Sequence, residues 1–140
     1  MMYLLDTNVV SELRKSHTGK ADRHVKAWSD GVDAASMFLS VITLLELELG
    51  TLLMERRDTR QGAMLRAWVE HQILPSFAGR ILAVETAIAQ KSAALQVPNP
   101  RPYRDALIAA TGLVHGMTVV TRNVSDFEPT GVPTLNPWQS

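Results

Sequence analysis

The chain contains no cysteine. That excludes a disulfide framework, a thiolate zinc site and a cysteine nucleophile, and is compatible with a reducing cytosol. An excess of charge of either sign is also missing: 14 Lys and Arg residues balance 14 Asp and Glu residues. A strongly basic composition would point to nucleic acid; this one leaves any such role to local patches. Near-zero charge favours association, with another copy or with a partner. No apolar run approaches the ~20 residues that span a bilayer, and no basic segment leads into a signal-type apolar run at the N-terminus. The expectation is a cytoplasmic protein without a membrane attachment. No internal repeat and no linker-like shift in composition divides the chain, so one domain over residues 1–140 is expected.

What is present is hydrophobic content of 46%, enough for a globular core, arranged as short apolar runs that alternate with helical patterns. Tyr3-Leu4-Leu5 reads as a buried strand ending at Asp6, and Val9–Leu13 as a short helix. The stretch from Arg14 to Lys26 is polar and basic. Met37–Val41 is a second strand. Thr43 and Glu46 then have the spacing of a capping box, in which Glu46 reaches back to the cap's amide, opening a helix that runs to Arg57. Asp58 and Gln61 repeat that signal for a helix carrying Met64, Leu65, Trp68, Val69 and Ile73 on one face, ended by Pro75. That stripe is a core or partner surface, and His71 is a surface residue. Arg80–Val84 is a third strand and Glu85–Gln96 an alanine-rich helix. Val97–Pro102 is a stiff proline linker. The next helix is Asp105–His115, with small residues for close packing on a sheet and Gly116 for a left-handed exit. Met117–Thr121 is a β-branched strand suited to a sheet centre. Arg122–Phe127 is a loop, and Gly131–Leu135 a last strand that Pro133 assigns to an edge. Strands alternating with helices predict an α/β fold, a mostly parallel sheet covered on both faces.

Four acids fall at junctions of these elements. Asp6 and Asp126 follow strands; Glu46 and Asp105 open helices. Each has a local explanation, for example the helix dipole for Asp105. Glu46 and Glu48 are two positions apart on a helix, so only one of them faces a given site, and Glu46 lies nearer the strand end. In a parallel sheet, strand ends and the starts of the following helices gather along one edge, where ligands bind. Two carboxylates ~4 Å apart repel by about 4 kcal/mol at an effective dielectric of 20, so a cluster of four needs protonation or a cation. All-oxygen ligands favour Mg²⁺ or Mn²⁺. Such a site suits phosphodiester or phosphoryl hydrolysis, with Thr7, Asn8, Thr121 and Asn123 orienting the carboxylates.

A family resemblance extends this reading. Leu5–Glu12 resembles the opening motif of PIN-domain proteins. Ser40–Leu47 with Gly50 resembles their second motif, Pro102–Thr111 their third and Val119–Phe127 their fourth; Asn136-Pro137-Trp138 is similar to a common ending. Order and spacing together resemble the VapC toxins of type II toxin–antitoxin pairs, in particular the FitB-like branch, over essentially the whole chain. The resemblance implies a three-layer α/β/α sandwich and a Mg²⁺- or Mn²⁺-dependent endoribonuclease. Asp6 and Asp105 would be the main metal ligands, with Glu46 and Asp126 binding directly or through water, and Thr121 would line the pocket. A metal-activated water would attack phosphorus in line, leaving a 5′-phosphate and a 3′-hydroxyl. A homodimer and a VapB-type antitoxin are implied as partners, beside the RNA substrate. Candidate RNA contacts are Arg14, Lys15, Arg101, Arg104 and Arg122. Two other readings compete. One is an aspartyl-phosphate phosphatase, which the Asn at position 8 disfavours. The other is a protein that binds RNA or a partner without cutting.

Overall fold

The computed structural model describes residues 1–139. Five parallel strands form one sheet: β1 (Tyr3–Leu5), β2 (Met37–Ser40), β3 (Ile81–Leu82), β4 (Thr118–Val120) and β5 (Thr134–Leu135), in the order β3-β2-β1-β4-β5. The helices are α1 (Thr7–Arg14), α2 (Arg23–Asp30), α3 (Val41–Arg57), α4 (Thr59–Trp68), α5 (Leu74–Ser76), α6 (Thr86–Ala94), α7 (Tyr103–His115) and α8 (Val124–Phe127). The expected parallel α/β architecture is therefore present, with β1 at the centre.

Alternation along β1 builds both layers of core. Leu5 joins Val9, Val10, Leu39, Leu47, Val69 and Val120 on one side, whereas Leu4 joins Ile108, Ala109, Val119 and Phe127 on the other. Successive strand residues point to opposite faces, so two adjacent leucines serve two cores. Each is at most 1% exposed, and full burial of such a side chain contributes roughly 1.5–3 kcal/mol. The small residues of α7 let it lie close on the sheet: Ala106, Ala109 and Ala110 are fully buried. A Cβ at Gly112 would stand 2.8 Å from Val132 Cγ2 and 3.1 Å from Val119 Cγ2. Gly116 leaves α7 at φ 66°, and its N–H bonds to the Gly112 carbonyl, as a left-handed C-terminal turn requires.

Three local expectations are corrected. Ser40 ends β2 and is itself the cap of α3, its hydroxyl accepting from Ile42 N at 3.0 Å. Thr43 is consequently inside the helix and fully buried, and no Thr43–Glu46 capping box forms; a competent cap three residues upstream had already started the helix. Pro75 does not end the second hairpin helix. α4 passes through a π-helical turn, Val69–Ile73, into α5, and Pro75 sits within that final segment. Within the expected Arg122–Phe127 loop, residues Val124–Phe127 form the short helix α8. The Asp58 cap does form, accepting from Gln61 N at 3.1 Å. β5 lies at an edge as Pro133 required.

The strand order decides where a ligand can sit. From β1 the chain moves outward through β2 to β3, then crosses back to β4 on the opposite side of β1. The β1–β4 boundary is thus the point where the direction of winding reverses, which in open α/β sheets is where ligands bind, outside the carboxyl ends of the strands.

Candidate functional site

Asp6 follows β1 directly and caps α1. Its Oδ1 accepts from Thr7 N at 2.8 Å, and its Oδ2 accepts from Thr121 Oγ1 at 2.8 Å and from Asn8 Nδ2 at 3.4 Å. Thr121 follows β4, so this contact spans the reversal point of the sheet. The Thr121 hydroxyl in turn accepts from Asn123 N at 3.0 Å, while Asn8 Oδ1 accepts from Arg122 N at 3.3 Å. The β1 and β4 ends are thereby laced together by Asp6, Asn8, Thr121 and the Arg122 amide. Of the four residues predicted to orient the acids, Thr7, Asn8 and Thr121 do so with their side chains or amides, whereas Asn123 reaches Thr121 through its backbone and makes no hydrogen bond to an acid among the described residues.

Glu46 lies one and a half turns into α3 and half-buried. Its Oε1 accepts from Thr7 Oγ1 at 2.9 Å, and its Oε2 pairs with Arg104 Nη1 at 3.3 Å. Thr7 thus touches two of the acids, Asp6 through its amide and Glu46 through its hydroxyl. Glu48, two positions on, turns instead to Arg66, 2.6 Å away on α4. Asp105 stands in the first turn of α7 and Asp126 in α8.

Electrostatics ties these positions together. Burial raises the Asp6 carboxyl above its ordinary pKa of 3.8; the Thr121 and Thr7 hydrogen bonds oppose this, and the charges of Glu46 and Asp126 add to it. Asp105 is also raised, first by burial and then by repulsion from Asp6, Asp126 and Glu46. All four acids therefore share one electronegative region. As they stand, no three acid or histidine side chains among the described residues are gathered closely enough to enclose an ion.

The five candidate cations are distributed unevenly. Arg104 reaches the site through Glu46. Arg14 lies over the Trp68 ring, 5.8 Å from its centroid, beside a cavity that Glu46 also lines. Arg122 stacks on Trp138 at 5.1 Å, next to Asn8. Lys15 pairs with Glu12 at 3.1 Å. Arg101 is tied to the Leu95 carbonyl at 2.8 Å by its Nε and to Gln96 through its amide. Trp68 carries no site signal in the sequence, and Gly50 only its place in a motif. Both line the cavity next to Glu46, and the signal for Gly50 was its position one turn beyond Glu46 on the same helix.

Residues 3–129 match the PIN domain, and the chain belongs to that family. Within the family it is similar to the VapC ribonuclease Y4jK of Sinorhizobium fredii, 36% identical with 99% of each chain covered. It is similar also to Toxin FitB of Neisseria gonorrhoeae, 36% identical over 98% of this chain and 99% of the relative. The crystal structure of FitAcB from the same organism superimposes with a TM-score of 0.90 at 35% identity, covering 99% of this chain and 100% of that one. The chain is thus a member of the VapC/FitB branch, the ribonuclease toxins of toxin–antitoxin pairs.

Proposed function

We propose that the chain is a Mg²⁺- or Mn²⁺-dependent endoribonuclease, the toxin of a VapBC-type pair. The observation that carries this is the placement of Asp6. A carboxylate only 8% exposed is held by three donors at the sheet's reversal point, and it lies within repulsive range of two other acids. Such an arrangement is costly without a counter-charge. The donor set is oxygen only, which fits a hard divalent ion. Asp6 and Asp105 would hold it, with Glu46 and Asp126 completing the set directly or through water. When bound, the ion would supply an activated water and offset charge on the phosphate oxygens.

The chain's own residues do the remaining work. Thr121, Asn8 and the Thr7 amide keep Asp6 in one orientation, so its oxygens do not have to reorganise when charge arrives. Thr7 Oγ1 fixes the near oxygen of Glu46. Arg104, more than half exposed beside the acids, is placed to take a phosphate of the RNA backbone. Exposed leucines at 45, 49, 52 and 53 on α3 support a homodimer, and the relationship to toxins supports a cognate antitoxin. No helix among the described residues is long and apolar enough to cross a membrane.

RNA binding without cleavage is the second reading, favoured by the Arg104–Glu46 pair, which occupies one of the acids. An aspartyl-phosphate route gains no such support, because both Asp6 oxygens accept hydrogen bonds. The deciding experiment is cleavage of total cellular RNA by purified protein with and without Mg²⁺, beside Asp6→Asn and Asp105→Asn. Loss of cleavage in both variants is expected; activity retained in both rejects the proposal. RNA bound but never cut, with or without the ion, selects the second reading.

A further inference from the structure

Next to the acids is a cavity of ≈ 220 Å³ that their chemistry does not use; Thr7, Arg14, Glu46, Gly50, Thr51 and Trp68 are among the residues lining it. It shares Thr7 and Glu46 with the acid cluster and runs from there toward Trp68. A cavity of about 150 Å³ accommodates a benzene, and drug-sized pockets begin near 300 Å³. This one is therefore of a size for a single heterocycle. Its contents suit a nucleobase: an indole whose face already attracts a planar cation, Arg14 lying over it at 5.8 Å from the centroid, and hydroxyl and carboxylate groups at the end nearer the acids.

Gly50 is the second observation. It lies in the middle of the 17-residue helix α3, where glycine weakens a helix relative to alanine. Close packing does not require it, since a Cβ built there meets no atom within 4 Å. Gly62, on α4, is the contrast: a Cβ there would stand 2.4 Å from Glu55 Cα, so helix contact explains that glycine. What the missing side chain at 50 does is leave the cavity open one helical turn from Glu46.

We infer that this cavity is a nucleobase subsite, in which a base of single-stranded RNA, adjacent to the phosphate that Arg104 takes, stacks on Trp68 in place of Arg14, which turns to the neighbouring backbone. The inference rests on the ribonuclease reading for its substrate, but its test does not depend on cleavage.

The test is fluorescence anisotropy with a short labelled oligoribonucleotide of mixed sequence in EDTA, using the full chain. Gly50→Leu fills the cavity while leaving residue 68 a tryptophan, and is expected to weaken binding about tenfold or more, with the thermal midpoint maintained. Gly50→Ala intrudes less and is expected to weaken binding by a smaller factor, within about threefold. Trp68→Phe keeps a stacking face and stays within about threefold; Trp68→Ala loses about five- to hundredfold. An abasic scan of the same oligonucleotide then finds one position whose loss matters to the wild type and not to Trp68→Ala. RNA affinity unchanged by Gly50→Leu, or equal abasic penalties in wild type and Trp68→Ala, overturns the subsite, as does a wild type that binds no RNA. If the protein binds RNA in this pattern but never cuts it, the ribonuclease reading falls and the subsite stands. If it cuts RNA and Gly50→Leu binds normally, the reverse holds.

Discussion

Thr121 donates its hydroxyl to Asp6 Oδ2 at 2.8 Å across 115 positions of sequence. The contact joins the carboxyl ends of the two strands between which the sheet reverses direction. Thr121→Val keeps the shape and removes the donor. It also removes the oxygen that accepts from Asn123 N, at a cost of about 1–3 kcal/mol for the unsatisfied groups. Without the donor, Asp6 is harder to ionise. Calorimetry should show Mg²⁺ affinity falling about 10–100-fold with the secondary structure retained; unchanged affinity would mean that the hydroxyl does not tune the carboxylate.

The acids also set a pH dependence. Asp6 and Asp105 both have pKa values above the ordinary 3.8. In the window between 3.8 and the raised values, the folded protein binds more protons than the unfolded chain. Stability of the metal-free protein from these two groups is therefore greatest at low pH and falls as pH rises through that window. Ion binding requires the deprotonated forms, so stabilisation by Mg²⁺ should grow over the same window. Thermal melts with and without Mg²⁺ at a series of pH values check both signs. Asp105→Asn should raise the metal-free midpoint at pH 7 while abolishing the Mg²⁺ response.

Arg104 and Glu46 form an ion pair at the surface, with side chains 54% and 23% exposed. Pairs of this kind contribute about 0–1 kcal/mol, so Arg104→Ala should barely move the melting midpoint. Its effect should appear with RNA instead: weaker binding to every sequence, and a salt dependence shallower by about one unit of slope. Binding isotherms at several salt concentrations measure this. An unaltered slope would show that Arg104 does not meet a phosphate.

The two glycines of the α3–α4 hairpin should respond in opposite directions. Gly62→Ala forces a Cβ to within 2.4 Å of the Glu55 backbone, and overpacking of this kind costs about 1–3 kcal/mol or more. Gly50→Ala meets open space and should stabilise by about 0.5–1 kcal/mol through helix propensity. Denaturant titrations of both variants give the comparison directly.

Legibility followed range. The parallel alternation of strands and helices, the Asp58 cap, the Gly116 exit from α7 and the edge position of the Pro133 strand were all readable, because each depends on residues within a few positions of one another. The Thr43–Glu46 box failed through competition between two nearby caps, which Ser40 won. The π turn at Val69–Ile73 and the short helix α8 had no local pattern that distinguished them from an ordinary helix end and a loop.

By itself, the order of residues determined that Asp6 stands at a strand end and Asp105 in the first turn of a helix, because strand ends and helix starts are written in hydrophobic period and capping chemistry. Glu46 lies deeper in α3 than that pattern placed it, and Asp126 lies within α8. The residue order also carried the motifs of the PIN domain. Only the folded chain decided which groups meet. The crossing from β3 back to β4 brought Thr121 onto Asp6; the α3–α4 contact took Glu48 to Arg66 and left Glu46 for Thr7 and Arg104; and the same packing opened a cavity beside Gly50. Those are pairings between positions far apart in the chain, set by strand order and helix docking, and no window of local sequence contains them.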